Sequence, residues 1–259
     1  MKIIHITGHS NSGKTTFIHS LLDRMVPLYP QKVGVIKHMG HHNFELEQGK
    51  DTTTHYEHGA YYTAGLDSNK AMVAIHSNQL SKTLDLFSDS GIEYTIIEGF
   101  KDEGFKKIIM GDLDIENCIM RNPSVEEVVN SLESFDDYYT MQGIIKKLKY
   151  ETDMTHAGSI LTFNGIVREF SNDSRTTHMD FFDYQKTDEI ISSLEDEVKK
   201  IPGILNAKFH HNKGRLFAGC DITYFAIISS HRQEAFSAMS NAIDRLKREL
   251  HDIGKELSD

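Results

Sequence analysis

The stretch GHSNSGKTT, Gly8 to Thr16, decides the fold of the first half of this chain. It comes after the apolar run KIIHIT (2–7) and runs into KTTFIHSLLDRM (14–25), so the pattern predicts a strand, a tight loop and a helix in succession. Gly8 to Thr15 fits G-x-x-x-x-G-K-[ST] in full, in the strand-to-helix context that this phosphate-binding motif requires. The glycines let the loop close, so that successive backbone N–H groups and the helix N-terminus face a phosphate. Lys14 adds a cation near the β and γ groups, and the Thr15 hydroxyl suits Mg²⁺. Gly8, Ser10, Asn11, Ser12, Gly13, Lys14, Thr15 and Thr16 are therefore candidate nucleotide-binding residues. Such a loop grips phosphate without deciding whether the nucleotide is hydrolysed, because hydrolysis also needs a second magnesium anchor and a group that orients water. Glu98, ending the apolar strand in YTIIEGF (94–100), is the candidate anchor, and Asp51 in GKDTTTHYEHGA (49–60) is another; either can equally be a surface carboxylate. His38, His41 and His42 in KHMGHH invite a metal reading, but no thiolate or carboxylate falls at a zinc spacing, which favours solvated or phosphate-facing imidazoles.

Outward from the loop, KVGVIKH (32–38), MVAIH (72–76), YTIIEGF and KKIIMG (106–111) alternate with helical stretches, the rhythm of an α/β domain with a mostly parallel sheet. Ser124 and Glu127 form a predicted capping box. From about Met141 a second, α+β pattern begins. SILTFNGIV (159–167) and DITYFAII (221–228) read as strands, and Ile190, Ile191, Leu194, Val198 and Ile201 share one helical face. In a last helix from about Glu234, Phe236, Met239, Ile243, Leu246 and Leu250 recur as a core stripe. A length of 259 residues agrees with two domains, divided as 1–136 and 137–259. The formal charge of −10 argues against a partner held by its nucleic-acid backbone. Cys118 and Cys220 are the only cysteines and have no zinc-like spacing, which fits a reducing compartment. The first residues turn polar too quickly for a signal peptide, and no apolar run approaches membrane-spanning length, so a cytoplasmic protein without membrane contact is expected.

Four pieces of the second half invite a chemical reading: Arg168 in GIVR, the run HHNKGRLFAG, His231 and Arg232 in SSHRQEAF, and Lys247 in DRLKREL. Guanidinium groups donate in pairs to phosphate or carboxylate, and a lysine crowded by other cations can lose its proton near neutrality. Taken singly, each is an ordinary solvated side chain.

The order GHSNSGKTT, KVGVIKHMGHHNFELEQGKDTTTHYEHGA and IIEGFK resembles the MobB family, GTP-binding adapters of molybdopterin-guanine dinucleotide biosynthesis, over about residues 1–135. The resemblance implies GTP with Mg²⁺ as the bound nucleotide, weak or absent hydrolysis, and a MobA-like guanylyltransferase as partner. Sequence physics alone does not choose GTP over ATP.

AGSILTFNGIVRE, KGRLFAG, ISSHRQEAF and IDRLK, in that order, resemble MoaE, the large catalytic subunit of molybdopterin synthase, over about residues 140–250. This implies an α/β hammerhead fold, a homodimer, and a partner, the MoaD-like small subunit, whose thiocarboxylated tail delivers sulfur to precursor Z (cyclic pyranopterin monophosphate) to form molybdopterin. By the same resemblance Lys247 matches the catalytic lysine, Arg168 lies beside the small subunit's tail, and His231 and Arg232 reach the pterin phosphate from the neighbouring subunit. The family's second active-site lysine falls here on Gly254, with Lys255 one residue later as the candidate substitute. Asn212 stands where the family carries arginine, and FFDYQKTDEI lacks the family's tyrosine and methionine pattern. The expected activity is sulfur transfer by the second domain beside a GTP-binding first domain; the alternative is a scaffold whose synthase-like domain only binds partners.

Overall fold

A computed structural model describes residues 1–40, 46–171, 174–250 and 255–258. The chain forms two compact units, Met1–Phe87 with Ile92–Tyr138, and Ser88–Gly91 with Tyr139–Asp259. His41 and His42 of the predicted histidine cluster, and Gly254, lie outside the described residues.

In the first unit β1 (Lys2–Gly8) feeds through the glycine loop into α1 (Lys14–Leu28), followed by β2 (Val33–Lys37), α2 (Asp51–Glu57), β3 (Tyr62–Leu66), β4 (Ala71–Ile75) and α3 (Leu80–Ser90). β5 (Tyr94–Glu98), β6 (Lys107–Met110), β7 (Cys118–Arg121), α4 (Val125–Asn130) and β8 (Asp136–Asp137) complete it. Five strands run parallel in the order β2-β5-β1-β6-β7, with the short β8 antiparallel against the start of β1. Apolar side chains emerge on both faces of β1, as expected of a strand covered on both sides. Ile4 and Ile6 pack with Ile18, Leu21 and Met25 of α1 and Val128 of α4. Ile3 packs with Leu80 and Leu84 of α3 on the opposite side. The capping box forms as the spacing predicts: Ser124 Oγ accepts from Glu127 N at 3.3 Å, and Ser124 N donates to the Glu127 carboxylate at 2.7 Å.

The run MVAIH departs from the predicted parallel rhythm. Ala71–Ile75 pairs antiparallel with Tyr62–Leu66 in a separate two-stranded ribbon. A short apolar run fixes that a segment extends but not which strand it joins, and the Asp67–Lys70 turn, where Asp67 Oδ1 accepts from the N–H groups of Asn69 and Lys70, folds it back locally instead.

The second unit contains α5 (Met141–Glu151), β9 (Ser159–Ile166), β10 (Phe170–Ser171), β11 (Ser174–Phe181), α6 (Tyr184–Lys199), β12 (Ile204–His211), β13 (Gly214–Phe217), β14 (Asp221–Ser229), α7 (Arg232–Leu250) and β15 (Lys255–Ser258). Its main sheet is antiparallel, β12-β14-β9. β14 alternates between two covered faces, which explains its unbroken apolar sequence: Phe225 and Ile227 meet α6 and α7, while Tyr224, Ala226 and Ile228 meet α5. A second sheet is built around β11, which pairs with β10, β13 and β15. The fold class is thus the expected one, a mostly parallel α/β unit followed by an α+β unit.

The α6 stripe is buried as predicted at Ile190, Ile191, Leu194 and Val198. The α7 stripe is corrected. Phe236 is 58 % exposed, and the buried face is Ala235, Ala238, Met239, Ala242, Leu246 and Leu250. At about 100° per residue Phe236 is rotated one step off that face, and small alanines let α7 lie close to the sheet. Among the described residues no helix is long and apolar enough to cross a membrane.

Candidate functional site

The phosphate loop sits where β1 ends between β5 and β6, at the carboxyl ends of parallel strands, the place where open α/β sheets bind ligands. Its shape is set by its residues. Gly13 takes φ +82° as it enters α1, and no side chain caps that helix start, so the first-turn N–H groups remain directed at the loop. Gly8 has no room for a side chain: a Cβ there would lie 2.2 Å from the Met110 carbonyl oxygen. Lys14 Nζ donates to the carbonyl oxygens of His9, at 2.5 Å, and Gly8, at 3.3 Å. Burial pulls the Lys14 ammonium below the usual lysine range; Glu98 works against that, and Lys101 and Lys37 add repulsion.

The structure brings two of the predicted residues together. Thr15 Oγ1 donates to Glu98 Oε1 at 3.2 Å, and Glu98, only 8 % exposed, ends β5 opposite Ile6 of β1. A hydroxyl and a carboxylate are hard oxygen donors, the set that Mg²⁺ prefers when phosphate and water supply its remaining positions, so these residues fit the ion. Asp51 opens α2 on the surface, and among the described residues no hydrogen bond or ion pair ties it to the loop. His38 stacks on Phe100 at 4.5 Å between ring centroids. Among the described residues no group of three or more histidine, cysteine or acidic side chains could hold a metal.

Sequence reading missed Lys37. Its Nζ lies 3.2 Å from Glu98 Oε1, the oxygen that Thr15 also contacts. The signal was present, because a lysine ending a parallel strand points to the same sheet edge as the loop, but the neighbouring histidines drew the reading instead.

In the second unit, Lys247 lies exposed in the last turn of α7 and borders a concavity of about 670 Å³ together with Arg245, Arg248, Asn241, Asp244 and Glu197. Arg245 is anchored on Glu197 and Glu249 and donates to Ser193 Oγ at 3.1 Å, whereas no carboxylate is paired with Lys247 among the described residues. Arg232 opens the same helix, with His231 just before it, both exposed. A helix rising about 1.5 Å per residue separates the backbones of Arg232 and Lys247 by about 22 Å, so they mark opposite ends of α7. Arg168 is exposed two residues beyond β9. Lys255 begins β15, where its register partner is Asp180 of β11. Asn212 lies in the turn between β12 and β13, its side-chain amide donating to the Asp221 carbonyl at 2.9 Å.

Comparison with known proteins accounts for both units. The family model described as molybdopterin guanine dinucleotide synthesis protein B matches residues 3–130, and that described as MoaE protein matches residues 138–249. A Haloferax volcanii protein named "probable molybdopterin synthase" is 25 % identical over 98 % of this chain and 95 % of its own length. The molybdopterin synthase catalytic subunit of Thermoplasma volcanium is 36 % identical over 36 % of this chain and 69 % of its own. The molybdopterin-guanine dinucleotide biosynthesis adapter protein of Haemophilus influenzae is 27 % identical over 49 % of this chain and 71 % of its own. Two families of one biosynthetic route thus meet in tandem: the chain belongs to the MoaE family of molybdenum-cofactor biosynthesis and carries a MobB domain ahead of its MoaE domain.

Proposed function

We propose that the MoaE domain transfers sulfur from the thiocarboxylated tail of a MoaD-like small subunit to precursor Z, forming molybdopterin, and that the MobB domain binds GTP with Mg²⁺ and assists a MobA-like guanylyltransferase that converts molybdopterin to its guanine dinucleotide. The observation that carries the first part is Lys247, a lysine beside two arginines on the wall of a concavity large enough for a pterin. Cations there suit the thiocarboxylate and the pterin phosphate, and a lysine among them is placed to carry protons as the carbon–sulfur bond forms. The sulfur displaces an oxygen substituent from the pyranopterin side chain, which leaves with a proton carried by the lysine. Water then cleaves the acyl–sulfur bond and releases the tail as an ordinary carboxylate, so each sulfur delivered consumes one thiocarboxylate and a dithiolene takes two. The 22 Å between Arg232 and Lys247 supports a homodimer in which each site takes Lys247 from one copy and His231 with Arg232 from the other. Thr15 and Glu98 would hold the magnesium ion, which supplies charge neutralisation at the phosphates.

The test is conversion of precursor Z to molybdopterin by the purified chain with thiocarboxylated small subunit, comparing wild type with Lys247→Ala and Lys255→Ala. Product that disappears in both variants is expected, Lys255 then taking the role of the lysine that Gly254 replaces. No product from the wild type would sink the proposal and leave a scaffold that only binds partners, the reading that Gly254 favours.

Gly158 supplies a second check. A Cβ at Gly158 would lie 2.1 Å from the Ser230 carbonyl oxygen, the residue just before His231, and Gly158 N donates to Ser229 O at 2.9 Å. Gly158→Ala must therefore push the backbone carrying His231 and Arg232 outward. Because a 1 Å misplacement can cost about a hundredfold in rate, molybdopterin formation is expected to fall about 10- to 100-fold while far-UV circular dichroism stays unchanged. A variant with wild-type rate would show that this segment does not position substrate.

A further inference from the structure

The contacts around Glu98 leave one cation without an assigned task. Lys37 ends β2, its neighbour Glu98 ends β5, and β5 lies next to β1, so Lys37 stands two strands, or about 10 Å, from the end of β1. Its side chain is about half exposed and reaches the same carboxylate oxygen that accepts from Thr15. A magnesium ion held by Thr15 and Glu98 would compete with the Lys37 ammonium for that oxygen. Lys37 would then lose its anionic partner at the sheet edge, next to the position of the phosphate that shares the ion. Lys14 feels the charges of Glu98, Lys37 and Lys101, so three lysines gather near the loop in a chain whose net charge is −10. An excess of positive charge in an acidic protein marks an anion site.

We infer that Lys37 is a specificity residue for the terminal phosphate: it stays on Glu98 when a nucleoside diphosphate or no nucleotide is bound, and moves to the γ-phosphate when magnesium takes the Glu98 oxygen. This rests on the nucleotide reading of the loop and deepens it. Lys14, seated on the loop itself, serves both nucleotides, whereas Lys37 serves only the triphosphate. The lysine then links metal and γ-phosphate: each makes room for the other, and by reciprocity each raises the other's affinity by the same factor. A domain of this kind separates GTP-loaded from GDP-loaded states without needing fast hydrolysis.

The experiment is calorimetric titration of the full chain with GDP and with the non-hydrolysable triphosphate GMPPNP, each with Mg²⁺ and with EDTA, for wild type, Lys37→Ala and Lys37→Arg. With Mg²⁺, Lys37→Ala is expected to weaken GMPPNP about 10- to 100-fold, the range of a lost charge-assisted hydrogen bond, with GDP held within about threefold. Lys37→Arg should recover much of the difference, and in EDTA the wild type and Lys37→Ala should bind GMPPNP alike. Equal weakening of both nucleotides would overturn the assignment, leaving Lys37 as general electrostatic background, and no weakening of either would do the same. A wild-type chain that binds neither nucleotide would instead overturn the nucleotide reading itself, and the assignment with it.

Discussion

In the homodimer proposed above, two inactive variants of this chain, Lys247→Ala and Arg232→Ala, are expected to recover about a quarter of the wild-type rate of molybdopterin formation when co-expressed, because random pairing would make half the dimers mixed and each mixed dimer would hold one intact site. Alone, each should fall about 10³-fold or more, the scale at which groups acting as a unit fail together. The expectation comes from a length: α7 holds Arg232 at its first position and Lys247 in its last turn, about 22 Å apart along the axis, a span that two copies close more readily than one. Recovery on mixing places the two residues in one site across two copies. Full inactivity of the mixture, with dimers confirmed by light scattering, would put both residues to work within a single copy.

Acid is expected to unfold the second unit through His211. This residue, 2 % exposed in β12, is held by Phe181 edge-on to its ring and by a 2.6 Å contact from Nδ1 to the Asn212 carbonyl, which makes Nδ1 the protonated nitrogen. Burial pushes its pKa down to about 4, with Lys213 adding to the effect and the carbonyl opposing it. The unfolded chain binds this proton near pH 6.5 and the folded chain only near pH 4, so between those values unfolding takes up a proton and stability falls as pH falls. The contribution is intact above about pH 6.5, and its loss reaches about 3 kcal/mol by about pH 4. Urea denaturation at about pH 7 and about pH 4.5 should therefore show a smaller acid penalty in His211→Gln than in wild type. Equal penalties would assign acid sensitivity elsewhere, with His5, buried in the first unit and also held below the histidine range, as the next group to test.

What was legible in advance was what local chemistry dictates. Gly8–Thr15 announces its own strand, loop and helix, and Ser124 with Glu127 announces a helix start, because each depends on residues within a few positions. The Thr15–Glu98 contact, 83 positions apart, was still within reach, since an acid at the end of an apolar strand must emerge at the sheet edge where the loop lies. Lys37 emerges at that edge too, but its meeting with Glu98 depends on β2 lying beside β5, a strand order no local pattern encodes. MVAIH and Phe236 failed for the same kind of reason. An apolar run names neither its partner strand nor the covered face of its helix, and in α7 four residues of the buried face, Ala235, Ala238, Met239 and Ala242, outweigh one exposed ring in setting the packing. The β11 sheet, with polar stretches such as SRTTHM, gave no periodic signal at all.

The pairing of β8 with β1 makes the two ends of the first unit neighbours. Lys2 lies opposite Asp137 with their side chains 3.0 Å apart, and Tyr138 N donates to the Met1 carbonyl oxygen at 2.7 Å. A domain whose ends touch can be opened at another surface loop and resealed by a short peptide across the old ends, so this unit is a natural subject for circular permutation. The same adjacency makes a fluorophore attached ahead of Met1 a reporter on Tyr138, where the chain leaves for its second unit, at the end of β1 opposite the phosphate loop.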